Sequence, residues 1–453
     1  MKPPVFYVLL CGAALLAACG SPANNPVLTV ESGRIRGVET ATEGVIVYKG
    51  VPYAAPPVGD LRWREPQPPE PWSGVRSADA FGPAAVQADQ SVGSFYEREF
   101  FWMGDPVRSE DCLYLNIWTP AAGEPEAKLP VAMWIHGGAY IQGYGHETEF
   151  DGEAFARRGV ILVTVNYRLG IMGFLAHPLL SAESPRGVSG NYGILDQRAA
   201  LAWLRRNIAQ FGGDPDRIPS WGQGAGPAGD RCWWPPPSWG GVIAGAATQR
   251  GGGLRGLGRW QKLADAEASG AAFTEFAGLG TLDRMRACPA ERLCALAAQY
   301  AAESAVGFRP APNADGCLLP AGFEETALAG RLPDIPYLVG SVAGDPEPMK
   351  ASVPDFGRLL DSLGRRPAYL YTFARALPGD GAGAFHSAEL WYLFGTLDRS
   401  WRPFTAADRE LSDRMIGYWT NFVRTGDPNA DGLPLWKPYT KNDPEVLTLD
   451  VRK

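Results

Sequence analysis

The sequence predicts an α/β protein: one large, mostly parallel central sheet, doubly wound with helices. Three observations carry this reading. Short apolar runs at 113–118, 131–135 and 160–165, the last strongly β-branched, suit strands buried on both faces. Amphipathic helical patterns at 195–208 and 411–425 alternate with such runs, as in a sheet covered by helices. The 453 residues contain no linker, repeat or long polar stretch at which to divide them, so a single domain is expected over 27–453.

The chain opens on a targeting segment over 1–18. Lys2 gives a short positive region, and residues 5–16 are apolar but too short to span a bilayer as an anchor. The run Leu16-Ala17-Ala18-Cys19-Gly20 has the form of a bacterial lipobox. Its small residues suit a peptidase cleft, and the Cys19 thiol would take a diacylglycerol. A plain secretory signal with a chance cysteine is the alternative. The expectation is an exported protein of the bacterial cell envelope, attached to the membrane through lipid on Cys19, with 19–26 as a tether.

Strands are expected at 27–30 and 45–48, with Gly33 and Gly37 in turns, followed by a proline-rich surface segment over 52–71. The helix at 195–208 is closed by Gly212-Gly213, and the one at 411–425 by Gly426 and Pro428. A further helix is expected over 281–300, carrying Cys288 and Cys294 six positions apart and so on different faces.

A net charge of -7 with 20% charged residues and no basic patch gives no reason to expect nucleic acid as a partner. Of seven cysteines, Cys11 and Cys19 belong to the targeting segment. The odd five that follow imply at least one free thiol or an intermolecular bond. No Cys/His cluster has metal-ligand spacing, so neither metal nor other cofactor is expected.

Gly222-Gln223-Gly224-Ala225-Gly226 has the spacing of the G-x-S-x-G elbow, which exposes a serine hydroxyl on a strained strand-to-helix turn. Gly224 stands at the serine position and cannot be acylated. Other ordered motifs surround it. They are Tyr48-Lys-Gly-Val-Pro-Tyr-Ala-Ala-Pro-Pro57, Leu61-Arg-Trp63, Ser109-Glu-Asp-Cys-Leu-Tyr-Leu-Asn116, Trp134-Ile-His-Gly-Gly-Ala-Tyr140 and Val165-Asn-Tyr-Arg-Leu-Gly170. Further on come Gly190-Asn-Tyr-Gly-Ile-Leu-Asp-Gln197, Phe211-Gly-Gly-Asp-Pro215, Gly383-Ala-Phe-His-Ser-Ala-Glu-Leu390 and Tyr418-Trp-Thr-Asn-Phe-Val-Arg-Thr-Gly-Asp-Pro-Asn429.

Through these motifs most of the chain after residue 27 resembles the type B carboxylesterases, the cholinesterase and para-nitrobenzyl-esterase family of α/β-hydrolases. The resemblance implies the α/β-hydrolase fold and hydrolysis of small carboxylic esters by acyl transfer. It places His386 as general base and backbone N–H donors for the oxyanion at Gly137, Gly138 and Ala225. The triad acid falls at Asp345, with Glu347 as the fallback. His136, His146 and His177 read better as structural or surface residues. The resemblance also pairs Arg62 with Glu110 and Arg168 with Asp196, as structural ion pairs.

Three departures stand out. Pro219 lies in the expected central strand leading to the elbow, where it would remove a ladder hydrogen bond. Pro235-Pro236-Pro237 forbids the helix that should follow, so 227–241 is expected to be loop. Family-like residues resume near Gln249 at the right distance, the signature of two compensating frameshifts, with a true pseudoenzyme as the alternative. The cap helices after the acid are largely missing, since only 346–367 precedes the strand at 368–373. The family's cysteine partner for Cys112 is replaced by Ala85, so that disulfide is not expected. The chain as written is therefore expected to be impaired or inactive as an esterase. A non-catalytic binding or adhesion protein on the same fold is the other reading.

Overall fold

The computed structural model describes residues 25–89, 93–223, 244–249, 253–255, 260–305, 307–319 and 321–451. Cys19, Gly224, Ala225 and the 227–241 stretch lie outside the described residues.

The main sheet has ten strands. In chain order they are β1 (Val38–Glu39), β2 (Ile46–Pro52), β3 (Tyr114–Thr119), β4 (Val131–Ile135), β5 (Ile161–Val165), β6 (Ser220–Gln223), β7 (Ala246–Gln249), β8 (Tyr337–Val342), β9 (Tyr369–Phe373) and β10 (Leu447–Leu449). Across the sheet they run β10-β9-β8-β7-β6-β4-β5-β3-β2-β1. From β5 to β10 every pairing is parallel. The apolar run at 113–118 becomes β3, but it pairs antiparallel with both β5 and β2, so the parallel order expected there holds only beyond β5. Both neighbours reach β3 through connections that reverse the chain, and run composition carries no information on direction.

β4 and β5 are buried at every residue. Their period-two alternation sends Val131, Met133, Ile161 and Val163 to one core, and Ala132, Trp134 and Leu162 to another. The first core is covered by α2 (Tyr192–Asn207) through Ile194, Leu201 and Leu204. The second is covered by α6 (Ala406–Thr425) through Leu411, Met415 and Phe422. Burying each such side chain contributes about 1.5–3 kcal/mol. α6 opens on a capping box, in which the Thr405 hydroxyl accepts from Asp408 N–H and the Asp408 carboxylate accepts from Thr405 N–H. It ends on Gly426 at φ 79°, the left-handed cap that glycine adopts without strain.

Two sequence expectations need correcting. The helix over 281–300 is two helices, α3 (Leu282–Ala287) and α4 (Ala290–Glu303). Pro289 holds extended backbone between them, because its ring has no N–H to continue the ladder. Cys288 therefore caps α3 and only Cys294 is helical. Pro219 does not spoil β6 either. It sits just before the strand's first residue and still accepts from Met133 N–H at 3.4 Å. Trp221 then anchors β6 in an aromatic cluster, 4.7 Å from the Trp134 ring centroid and 5.0 Å from those of Phe155 and Phe394.

Between β8 and β9 lies a single helix, α5 (Glu347–Ser362). Ahead of the sheet core, α1 (Phe95–Phe100) is capped by Ser94, whose hydroxyl accepts from Glu97 N–H.

Candidate active site

Three loops, after β4, β8 and β9, meet the last residue of β6 at the C-terminal edge of the parallel strands, where α/β sheets place their ligands. After β8 the chain turns at Gly344, where a Cβ would stand 2.3 Å from the Ala384 carbonyl. Only glycine lets Gly344 N–H reach that oxygen at 2.9 Å, which holds the acid loop against the histidine loop. Asp345 is buried. Its Oδ2 accepts from Val342 N–H at 2.8 Å, tying the carboxylate to the end of β8. Its Oδ1 lies 2.5 Å from His386 Nδ1. The imidazole side chain is 37% exposed and the Asp345 side chain 0%, so a fixed acid holds a ring that faces outward. Glu347 is paired with Lys350 at 3.0 Å and its side chain is exposed. Between the two acids left open by the sequence, Asp345 is the one that contacts His386.

After β4 comes the glycine loop. Gly138, Ala139 and Tyr140 all adopt left-handed backbone, at φ 99°, 58° and 65°. A Cβ on Gly138 would lie 2.0 Å from Gln142 O, so no side chain fits there. The Gly138 carbonyl accepts from Ile141 and Gln142 N–H, while neither Gly137 nor Gly138 N–H is used among the described residues. That leaves donors for an anionic oxygen. His136 precedes the loop, buried and stacked 4.5 Å from Tyr167. Burial lowers its pKa to about 4, so the ring is neutral and structural. His146 is stacked on Phe81 at 4.7 Å, and His177 caps a short helix.

Gln223 closes β6 one residue before the elbow position. Its Nε2 donates to Ser387 Oγ at 3.0 Å, and a Cβ on Gly137 would lie 3.2 Å from it. Ser387 follows His386 and stands at φ 88°, a strained conformation for a residue with a side chain. Tyr96 of α1 donates to the His386 carbonyl at 3.2 Å. None of Gln223, Ser387 and Tyr96 stood out in the sequence. Gln223 had a positional signal, as neighbour of the elbow residue. The other two had none.

The sequence model of the carboxylesterase family matches residues 24–355 and 349–453. The chain belongs to this family. It is 37% identical to the fumonisin B1 esterase of Sphingopyxis macrogoltabida, over 98% of this chain and 90% of that one. It is 32% identical to the para-nitrobenzyl esterase of Bacillus subtilis, over 94% of each. Among solved structures, a thermophilic para-nitrobenzyl esterase superposes with a TM-score of 0.81 at 30% identity, covering 94% of this chain and 96% of that one. The architecture is thus the α/β-hydrolase fold. The two matches to this carboxylesterase chain meet within α5, the one helix left between acid and β9.

The remaining predicted residues frame the site. Arg62 Nε donates to Glu110 Oε2 at 2.7 Å, and its Nη1 donates to the carbonyls of Met285, Arg286 and Cys288. Arg168 grips Asp196 as a fork, Nε to Oδ2 at 2.8 Å and Nη2 to Oδ1 at 2.7 Å, with both residues buried. Cys112 is a buried free thiol, and with Ala85 it lines a cavity of about 10 Å³ next to Arg62 and Glu110. Burial pushes the Cys112 thiol well above its usual pKa. Cys288, Cys294 and Cys317 are free as well, and Cys232 lies outside the described residues. A cavity of about 190 Å³ opens elsewhere, floored by Trp63, Tyr192 and Leu195, and it contains none of the residues named in catalysis.

Proposed function

We propose that this carboxylesterase-family chain descends from hydrolases of small carboxylic esters, and that Gly224 closes the covalent route in the chain as written. The observation that carries the reading is the 2.5 Å contact between His386 Nδ1 and Asp345 Oδ1 beside a left-handed glycine loop. In the acyl-transfer reading His386 is the general base, Asp345 orients it, and Gly137 and Gly138 offer N–H groups to the tetrahedral oxyanion. Ala225 N–H would be the third donor. The fumonisin B1 and para-nitrobenzyl esterases among the relatives support an ester as substrate class. With no hydroxyl at position 224, no acyl-enzyme forms. Triad loss of this kind costs on the order of 10⁶ in kcat in a serine protease.

The regular β6 ending at Gln223 also suits a binding protein that keeps the scaffold and drops the chemistry. We further propose export and lipid attachment at Cys19, on the lipobox alone, and a frameshift origin for 218–250.

The test is hydrolysis of a short p-nitrophenyl ester by three purified proteins: the unmodified chain, Gly224→Ser, and a version with 218–250 replaced by a family-like strand–elbow–helix. The expected order is no turnover, little, and much. Robust turnover by the unmodified chain that is abolished by His386→Ala overturns the proposal. No turnover by the replaced chain, correctly folded, favours the binding protein.

A further inference from the structure

One guanidinium joins three pieces of chain that converge around His386. Arg402 stands just ahead of α6, and its side chain is fully buried. Its Nε donates to both carboxylate oxygens of Glu99, at 2.9 and 3.0 Å, and its Nη2 lies 2.9 Å from Glu99 Oε2. Glu99 belongs to α1, is buried, and also accepts from Trp391 Nε1 at 2.9 Å. The other side of the guanidinium grips the loop that leads from β9 to His386. Nη1 donates to the Pro378 carbonyl at 2.9 Å and to Asp380 Oδ1 at 2.8 Å, and Nη2 donates to Asp380 Oδ2 at 3.2 Å.

That loop is a closed turn. Leu377 N–H donates to the Gly383 carbonyl at 3.1 Å, and Ala382 N–H to Asp380 Oδ1 at 3.0 Å. Fixing Asp380 and Pro378 therefore fixes the backbone just ahead of His386.

The third piece is Phe385, the residue before the histidine. The Arg402 guanidinium lies 5.1 Å from the centroid of its ring. Phe95 of α1 meets the same ring edge-on at 4.7 Å, and Phe100 of α1 lies 6.4 Å away. Tyr96, between them in sequence, donates to the His386 carbonyl. α1 thus presses on Phe385 with two rings and on His386 with a hydroxyl. A helix of six residues does not hold itself in place, so its position depends on contacts such as that between Glu99 and Arg402. Arginine suits this place because its planar fork can hold two carboxylates and a carbonyl at once.

We propose that Arg402 is a positioning residue for the general base: with Glu99 it locks α1 and the 377–383 turn around Phe385, and so holds the His386 ring on Asp345. The ring's service as a base rests on the ester-hydrolase reading. The hold on the ring does not.

The experiment compares the full unmodified chain with the double variant Glu99→Leu, Arg402→Met. The double variant leaves neither buried charge without its partner. Asp380 is 24% exposed in its side chain and keeps Arg98 at 3.9 Å. Cooperative unfolding and the far-ultraviolet spectrum report the fold. Proton NMR of the unmodified chain at neutral pH should show a far-downfield Nδ1–H resonance from the His386–Asp345 hydrogen bond, absent from His386→Ala. In the folded double variant that resonance should be lost through exchange with water. Arg402→Lys keeps the charge but not the fork, and should lose it too, which covers a double variant that fails to fold. In the elbow-replaced chain the same double change should lower kcat by about a hundredfold, as a small misplacement does, with KM unchanged. Absence of the resonance from the unmodified chain, or its persistence in a folded Arg402 variant, overturns the proposal. So does an unchanged kcat in an active elbow-replaced chain. An inactive elbow-replaced chain, with the resonance present in the unmodified chain and lost on substitution of Arg402, overturns only the ester reading.

Discussion

Gln223 and Ser387 are 164 residues apart in the chain and joined by one buried hydrogen bond, Nε2 to Oγ at 3.0 Å. The bond ties the end of β6 to the histidine loop. It also holds a serine in left-handed backbone. Gln223→Leu should therefore destabilise by about 1–3 kcal/mol, the range for breaking a buried polar pair. Ser387→Gly loses the same bond but relieves the backbone, so its loss should be smaller. Chemical unfolding of the two variants checks the order. A Gln223→Leu protein within about 0.5 kcal/mol of the parent would show that the bond carries no weight.

Arg168 and Asp196 form the most deeply buried of the predicted pairs. Asp196→Ala strands a guanidinium in the core and should cost about 3–5 kcal/mol. The double change Arg168→Met with Asp196→Leu should cost much less, because no charge is left alone. A double-mutant cycle by thermal or denaturant unfolding reads the coupling. Additive single losses would mean that the fork contributes nothing as a pair.

Acid should unfold the chain earlier than its carboxylates alone would require. Burial lowers the pKa of His136 from 6.5 to about 4. A group depressed by folding contributes stability above its unfolded pKa and loses it as pH falls through the folded one. The His136 share, on the order of 3 kcal/mol, should disappear between about pH 6.5 and pH 4. Asp408, held near 2 chiefly by Arg375 against its burial, acts only at lower pH. His136→Asn should flatten the loss between pH 6.5 and 4 in a series of unfolding curves. An unchanged slope would show that the ring is solvated or charged in the native protein.

Cys19→Ala should release the protein from the membrane fraction and abolish palmitate labelling in a bacterial host. Labelling that persists in the variant would remove the lipid anchor.

Part of the sheet was readable because β3, β4 and β5 come from short apolar runs, whereas β6 and β7, Ser-Trp-Gly-Gln and Ala-Ala-Thr-Gln, carry no such run. Burial on both faces favours apolar side chains, and β4 and β5 are buried at every position. Strand direction was not readable, which is why β3 came out antiparallel. Proline effects were legible only when position was known. Pro289 ended a helix, whereas Pro219 fell at a strand's threshold and did no harm. At the site, His386 and Asp345 could be placed through their motifs. Ser387 could not, because a positive φ leaves no mark on a serine.

Asp345 does two things with one carboxylate: Oδ2 accepts from Val342 N–H and Oδ1 meets His386 Nδ1. An asparagine would have to divide these roles between unlike atoms. Its amide oxygen must face Val342, the fixed backbone donor, so its NH₂ must face the imidazole. That would force His386 into the tautomer with hydrogen on Nε2 and leave the outward nitrogen unable to accept a proton. The end of β8 thus dictates which nitrogen of His386 is basic. Asp345→Asn would preserve the strand end while reversing the ring's chemistry.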